Sequence, residues 1–538
     1  MSNTRIHLSE NKTYPWFTDG TLWLKGNFFD PDHNYYSHQK AFDYVTEQLK
    51  DHSLSDLVAK LNGIFTIVYR QMGCLKIACD PINFFPVFYA RKDDRWMVAD
   101  ELSLIPGLTN HKEINEDAVP GFLSAGFVMD NETLIKNIFK TQAGEIVSVN
   151  DDGTISRETW YYFLPEQFNP SPLPELTTQL HEQLDALSRR MVAMLNGRTA
   201  IVPLSGGYDS RLIVSLLKKA GHKNTICITY GRENPEVAIS REVAKKLGFQ
   251  WIFVDYQSSE TSGFLQDPLF REYAQYMGKG YSMPYLQEYF AARELKKKRL
   301  IPDDSVFLPG HNGDYIAGSY VLKSVRTQKK GKAFFNHLRK KYFCFAETTQ
   351  KDNKTIEGSL QKLFLAYSNF NNPDPEFNVF IEDWHVREKI SKFIFRSSHV
   401  FPFFGYEIYF PLWDKELVNF FRNVPFSFRA SKMLYDKTLE EYLFKPYKIF
   451  FAEKELKAIP AGPWIASLKE WVKPFVPASL KIRKLRKNDA ICYDMFTDAM
   501  KDDLRKRGET TPGHINSFNA IICRWYLRFL RDDNARGK

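Results

Sequence analysis

A chain of 538 residues, 43% hydrophobic and 25% charged, is long enough for two or three domains around a large core; its net charge of +9, from 73 basic and 64 acidic side chains, is too mild at this length to mark a nucleic-acid binder. Six cysteines without a C-x-x-C pair match neither a zinc site nor a disulfide framework and point to a reducing compartment. The leading residues MSNTRIHLSENKTYPWF hold no apolar h-region and no stretch reaches the length of a membrane span, so a cytoplasmic protein, not integral to the membrane, is expected.

The first third reads as strand-rich. TLWLKGNFF, GIFTIVYR and CLKIAC are short apolar or alternating runs bounded by turn signals, and a helix is expected over about 40–51. PVFYARKDDRWMVAD predicts a hairpin with Lys92 to Arg95 at its tip, and GEIVSVNDDGTISRETWYY predicts another turning at Asp151, Asp152 and Gly153. LPEQFNPSPLPE carries four prolines and reads as a linker over 164–175. Apolar residues at 176, 180, 184, 187, 191 and 194 then trace one face of a helix.

Beyond that helix the period changes. Strands over 200–204, 225–229 and 251–254 alternate with helices over 210–220 and 235–247, a pattern that argues a parallel sheet covered by helices. The remainder reads as mostly helical with a Phe-rich middle. Two basic clusters, Lys323 to Lys341 and Leu480 to Lys487, read either as solvated helix faces or as contacts to something anionic.

The stretch IVPLSGGYDSRLIV holds the clearest chemistry. A strand that ends in Ser-Gly-Gly and feeds a helix forms an anion site, because the helix start offers unpaired N–H groups and the glycines let backbone approach phosphate oxygens. Ser205 and Ser210 add hydroxyls. A carboxylate at Asp209 repels phosphate unless a cation lies between them, and Mg²⁺ is the usual bridge. The G-x-x-x-x-G-K-[ST] pattern is absent, so the pocket suits a pyrophosphate that leaves. The plainer alternative is a Ser or Asp that caps the helix.

SGGYDS resembles the pyrophosphate loop of the ATP-pyrophosphatase (PP-loop) superfamily, and CITYGRENPEVAISREVAKKLGF resembles the second strand and helix of its asparagine synthetase branch. VFLPGHNGDYIAGSY resembles that branch's G-E-G-x-D-E-x-x-x-G-Y element, GYEIYFPLWDKELVNFF its V-E-x-R-x-P-F-L-D segment, and SKMLYDKTLEEYL the lysine segment that follows. The order and spacing hold across roughly 20–445.

The resemblance implies an α/β architecture. A degenerate Ntn-hydrolase-like αββα sandwich would be followed by an adenine-nucleotide α-hydrolase-like parallel-sheet domain with a largely helical C-terminal part. The expected divisions are a glutaminase-like domain over 1–163, a linker over 164–175, an ATP-pyrophosphatase domain over 176–445 and a basic, mostly helical extension over 446–538. It further implies that ATP, as substrate, binds at Leu204, Ser205, Gly206, Gly207, Asp209, Ser210 and Gly310, with backbone near Tyr230 and Gly231 facing adenine. Asp209 and Asp314 would hold Mg²⁺, and Lys432 would stabilise charge developing on phosphate. Three residues before the magnesium aspartate, β-lactam-forming relatives carry tyrosine and asparagine synthetases carry glutamate; this chain carries His311. With Glu407 as partner, His311 is expected to form a base dyad; the alternative is a loop histidine without chemistry.

The glutaminase resemblance over 22–160 departs from its pattern in three places. Ser2 replaces the N-terminal cysteine, Lys25 replaces the oxyanion-hole asparagine, and only about twenty residues precede it. The expectation is a non-catalytic first domain and an ATP-dependent amide-forming ligase whose amine comes from elsewhere, similar in layout to β-lactam synthetase and lasso-peptide cyclase. Its substrates would be a small-molecule, sugar or peptide carboxylate and an amine donor, with no nucleic acid; a homodimer stays open. The rival readings are a glutamine-hydrolysing asparagine synthase, an RNA-modifying member of the superfamily, and a non-catalytic scaffold of the same fold.

Overall fold

The computed structural model describes residues 4–71, 73–105, 113–258, 261–321, 338–368, 377–451, 478–510 and 515–536. Ser2, and the part of the basic cluster from Lys323 to residue 337, lie outside the described residues.

The first part contains β1 (Thr4–His7), β2 (Phe17–Thr18), β3 (Leu22–Phe29), β4 (Tyr35–Ser37), α1 (His38–Gln48), α2 (Leu54–Lys60), β5 (Asn62–Gln71), β6 (Cys74–Cys79), β7 (Phe88–Lys92), β8 (Arg95–Ala99), α3 (Val119–Ala125), β9 (Ile138–Lys140), β10 (Glu145–Asn150) and β11 (Ile155–Thr159). They form two sheets, one in the order β11-β10-β6-β5-β3-β2 with β4 paired to β3, the other in the order β1-β8-β7-β9. Both predicted hairpins are present: Lys92 pairs with Arg95 around Asp93 and Asp94, which take the left-handed backbone of a tight primed turn, and Val149 pairs with Ile155.

Strand alternation decides what each sheet covers. Tyr89, Trp96 and Val98 point between the sheets onto Val68, Ile77 and Val147. The intervening Phe88, Ala90, Met97 and Ala99 point the other way, into the main core of the molecule. Ala41, Phe42 and Val45 of α1 and Leu54, Leu57 and Val58 of α2 close the outer face of the larger sheet. The result is a two-sheet sandwich with helices on one side and the second half of the chain on the other.

The Pro-rich stretch leads into α4 (Leu173–Leu195), whose Leu176, Leu180, Leu184, Leu187, Met191 and Met194 are buried as the periodicity predicts. Then come β12 (Ala200–Pro203), α5 (Tyr208–Lys219), β13 (Thr225–Gly231), α6 (Pro235–Leu247), β14 (Gln250–Asp255), α7 (Pro268–Gly278), α8 (Tyr289–Lys297), β15 (Val306–Phe307), α9 (Gly313–Ile316) and β16 (Glu407–Ile408). The five strands form an all-parallel sheet in the order β14-β13-β12-β15-β16. Successive strands step outward from β12 to β14, and the chain then crosses back to place β15 on β12's other side. The carboxyl ends of β12 and β15 are therefore a topological switch point, where an open α/β sheet leaves a crevice.

Helices late in the chain are part of this core. Phe496 of helix Tyr493–Lys506 stacks on Phe290 at 4.2 Å, and the hydroxyl of Tyr526 of helix Asn519–Arg536 accepts the N–H of Gly280 at 3.0 Å. In the basic helix Ala478–Lys487, Arg486 pairs with Asp498 at 2.7 Å, which favours a solvated face for this cluster. Among the described residues no helix is long and apolar enough to cross a membrane.

Candidate functional site

The switch-point crevice is a cleft of about 370 Å³ whose walls come from the Ser205–Ser210 loop, the turn at Pro309 to Asp314, Tyr230 at the end of β13, Gln287 and Glu288 before α8, and Lys432. The Ser-Gly-Gly turn is shaped by its own hydroxyls: Ser205 Oγ accepts the N–H of Gly207 at 3.1 Å and Ser210 Oγ accepts the N–H of Ser205 at 3.1 Å. Gly207 is the N-cap of α5 and no side chain caps the helix. Among the described residues the capping alternative is thus not realised.

Asp209 and Asp314, distant in sequence, meet here. Asp209 Oδ2 accepts the N–H of Asp314 at 2.9 Å, and Asp209 Oδ1 accepts the hydroxyl of Tyr435 at 2.8 Å. Burial first, and then the neighbouring Asp314 carboxylate, push Asp209 up to about 7. The close approach depends on Gly313, where a methyl group would lie 2.7 Å from Asp209 Cγ, Leu412 Cδ1 and Tyr435 Oη. The donors are all oxygen, with Ser319 Oγ hydrogen-bonded to Asp314 at 3.2 Å, and two carboxylates suit a hard cation such as Mg²⁺ completed by phosphate oxygens and water. Among the described residues no group of three or more His, Cys, Asp or Glu side chains is arranged to hold a metal.

Lys432 is presented by a strained turn. Ser431 and Lys432 both take left-handed backbone (φ 60° each), and Asn312, before Gly313, does likewise at φ 70°. Such conformations in non-glycine residues cost of order 1–3 kcal/mol each and gather at functional sites. The Lys432 ammonium lies 3.2 Å from Asp436 and above the ring of Tyr208, on the cleft wall.

The expected dyad does not form. Glu407 pairs with Val306 at the start of β16, at the amino edge of the sheet, and its carboxylate holds Arg198 at 2.9 Å. His311 lies on the opposite edge, on the cleft, where its Nδ1 shares a hydrogen bond with Ser398 Oγ at 2.9 Å. The direction of β16 separates the two: counted from the Val306–Glu407 pair, the sheet carries Glu407 away from the loop that begins at Pro309. Burial lowers His311 from 6.5 to about 4. The folded chain therefore binds this proton later than the unfolded one. The contribution of His311 to stability is full above about 6.5 and is lost as the pH falls through about 4. Heteronuclear NMR of the ring nitrogens should show His311 neutral from pH 7 down to about 5.

Three further expected residues stand off the cleft. Leu204 is buried with its N–H and C=O used by Ile228 and Thr229, Gly206 gives its carbonyl to Arg211, and Gly231 lies under the carbonyl of Ala490, which also takes the N–H of Arg232 at 2.7 Å. Ser205, Gly207, Asp209, Ser210, Tyr230, Gly310, His311, Asp314 and Lys432 do line it. Sequence reasoning missed Tyr208, Gln287, Glu288 and Phe401 on the walls, and Tyr435 and Ser398 behind them. Gln287 and Glu288 fall in a stretch that matches no motif; Tyr435 carried a signal, three residues after Lys432 on the helix it begins.

In the first part of the chain, Lys25 is buried in β3, with its ammonium 3.1 Å from Asp100, which also accepts from Ser9 and from Trp16 Nε1. Lys279, from α7's C-terminus, donates to the Asp100 carbonyl at 2.8 Å and pairs with Glu101 at 2.6 Å. The hollow beside Gly26 and Asn27 is about 10 Å³, at the lower limit for a single water.

The chain matches the asparagine synthase family model over residues 183–517 and the glutamine amidotransferase domain model over 46–162. Among curated proteins it is 23% identical over 352 residues to the microcin J25-processing protein McjC of Escherichia coli, covering 62% of each chain. It is 26% identical over 286 residues to the glutamine-hydrolyzing asparagine synthetase 1 of Bacillus subtilis, covering 50% of this chain and 42% of that one. The chain thus spans less than two thirds of the length of the curated relatives it matches. Among solved structures, the NH3-dependent NAD synthetase of Campylobacter jejuni aligns at TM-score 0.21 and 12% identity over 41% of this chain and 96% of that one. The glutamine phosphoribosylpyrophosphate amidotransferase of Bacillus subtilis aligns at 0.19 and 9% over 56% and 64%; both superpose poorly over the whole chain. A family match over more than half its length, with the motif residues of that match meeting in one crevice, shows that the chain belongs to the asparagine synthase family.

Proposed function

We propose that the protein is an ATP-dependent amide ligase. It adenylates a carboxylate, releases pyrophosphate and couples the acyl-adenylate to an amine that its own first domain does not generate. The observation that carries this reading is the meeting of Asp209 and Asp314 beside an uncapped helix start at the switch point. The triphosphate lies along the Ser205–Ser210 loop, and an oxygen of the acid attacks the α-phosphorus as pyrophosphate departs. Lys432 stabilises charge that builds on the phosphate oxygens. A divalent cation held by Asp209 and Asp314 would neutralise the triphosphate during this displacement.

In this reading the first domain does not use glutamine at the position where the resemblance places the family's oxyanion hole. Lys25 takes that position in a buried ion pair with Asp100, which supports the reading. Its role in this reading is to complete the core. One relative is named for processing microcin J25, which favours a peptide among the acid substrates.

The test is ATP–pyrophosphate exchange with a panel of amino acids and synthetic peptides, beside an assay of ammonia release from glutamine. Exchange with at least one acid and no glutamine hydrolysis are expected. Glutamine-dependent ammonia release would overturn the role of the first domain; exchange with none of the panel would overturn the ligase. Gly313→Ala drives a methyl into the Asp209–Tyr435 contact. It should lower exchange on the order of 100-fold, the usual result of displacing a catalytic group by about 1 Å, with an unchanged far-ultraviolet dichroism spectrum.

A further inference from the structure

The amide-forming half of the reaction needs a group that removes a proton from the attacking amine, and His311 with Glu407 does not supply it. Glu288 stands on the cleft wall and is 5% exposed. Its Oε1 is saturated, accepting from the Tyr230 hydroxyl at 2.7 Å and from Gln287 Nε2 at 3.2 Å. Its Oε2 is buried and has no hydrogen-bond partner. A buried carboxylate oxygen without a donor is costly to keep, and beside a cleft it is the atom that an N–H of a bound molecule would satisfy.

Several other polar groups on the cleft have partners. Asp209 has one oxygen on the Tyr435 hydroxyl and the other on the N–H of Asp314, the Tyr208 hydroxyl donates to Glu440 at 2.8 Å, and Lys432 faces Asp436. Gln287 is itself fixed, with Oε1 accepting the Tyr285 hydroxyl at 2.9 Å, so the amide that loads Glu288 cannot turn away. The titratable groups that face Glu288 are tyrosines: Tyr230 of β13, Tyr256, Tyr273 of α7, Tyr285, and Tyr493 of the late helix. With no cation acting on it, burial lifts Glu288 to about 7, a value suited to taking a proton at neutral pH, whereas His311 at about 4 is a weak acceptor.

We propose that Glu288 is the general base of amide formation. Its Oε2 takes a proton from the amine nitrogen as the N–C bond forms at the acyl carbon and the C–O bond to AMP breaks, the electron pair leaving on the phosphate oxygen. This role rests on the ligase reading above.

Glu288→Gln tests it, because the variant keeps the shape and an acceptor for Tyr230 but cannot take a proton. With an acid that supports exchange in the unaltered protein, three rates are compared: ATP–pyrophosphate exchange, capture of the acyl-adenylate by hydroxylamine, which is already neutral at pH 7, and coupling to methylamine, which is not. The first two should stay within about threefold, and coupling to methylamine should fall on the order of 100-fold. The rise of that rate through pH 7 should disappear, and Glu288→Asp should recover part of both. Equal losses in all three rates would assign Glu288 to the nucleotide or to the fold, and an undiminished methylamine rate would leave it without a role; either overturns the proposal while wild-type exchange keeps the ligase reading standing. A wild-type protein silent in exchange overturns both.

Discussion

Asp209→Asn should reduce ATP–pyrophosphate exchange on the order of a thousandfold while leaving the fold intact. The substitution is isosteric, and both hydrogen bonds survive it: the amide oxygen still accepts the N–H of Asp314, and the amide nitrogen can donate to the Tyr435 hydroxyl. What disappears is one of the two negative charges that the cleft sets against phosphate. Titration with MgATP, followed by calorimetry, separates the effects, because Asp209→Asn should weaken binding of the magnesium complex more than binding of ATP in chelator. Equal affinity for the two in the unaltered protein would show that these carboxylates hold no cation.

The second large effect is on stability. Arg429 and Glu382 form a two-pronged pair, 1% and 3% exposed, with Nη1 to Oε2 at 3.0 Å, and Arg429 Nε reaches the carbonyl of Ile316 at 3.3 Å. Through the bond to Ile316, Arg429 ties the segment that carries Asp314 to the turn that carries Lys432, and Glu382 holds its guanidinium. Arg429→Met strands a buried carboxylate and should cost about 3–5 kcal/mol in urea unfolding. Adding Glu382→Leu removes the stranded charge and should recover most of that loss, because burying two apolar side chains avoids the desolvation that the ion pair only offsets. Exchange activity should fall in the single variant, since Arg429 joins the segments that carry Asp314 and Lys432.

The parallel sheet and the Ser-Gly-Gly turn at its edge were legible because their signals are local. β12 is buried on both faces and reads as an apolar run, and a Ser-Gly-Gly turn before an apolar helical face announces a strand-to-helix anion site. Asp314 and Lys432 were legible by family pattern. The Glu407 expectation failed because a motif match carries a residue's identity but not which end of a short strand it occupies; one residue pair, Val306 with Glu407, decides it. Glu288 could not be found from sequence, since its chemistry arises from Tyr230 and Gln287 meeting it in three dimensions, and a Gln-Glu pair before a helix is otherwise ordinary. The place of the late helices in the core was hidden for the same reason: Tyr526 reaches Gly280 across 246 residues of chain.

The smaller sheet gives Phe88, Ala90, Met97 and Ala99 to the same hydrophobic interior that supports α4, β12 and the cleft. The sheet cannot be discarded, because removing it would strip the second half of the chain of one wall and leave greasy surface open to water. Excising the front of the chain should therefore yield an aggregating remnant in place of a smaller enzyme. On the proposed reading, the front of the chain serves the cleft as masonry.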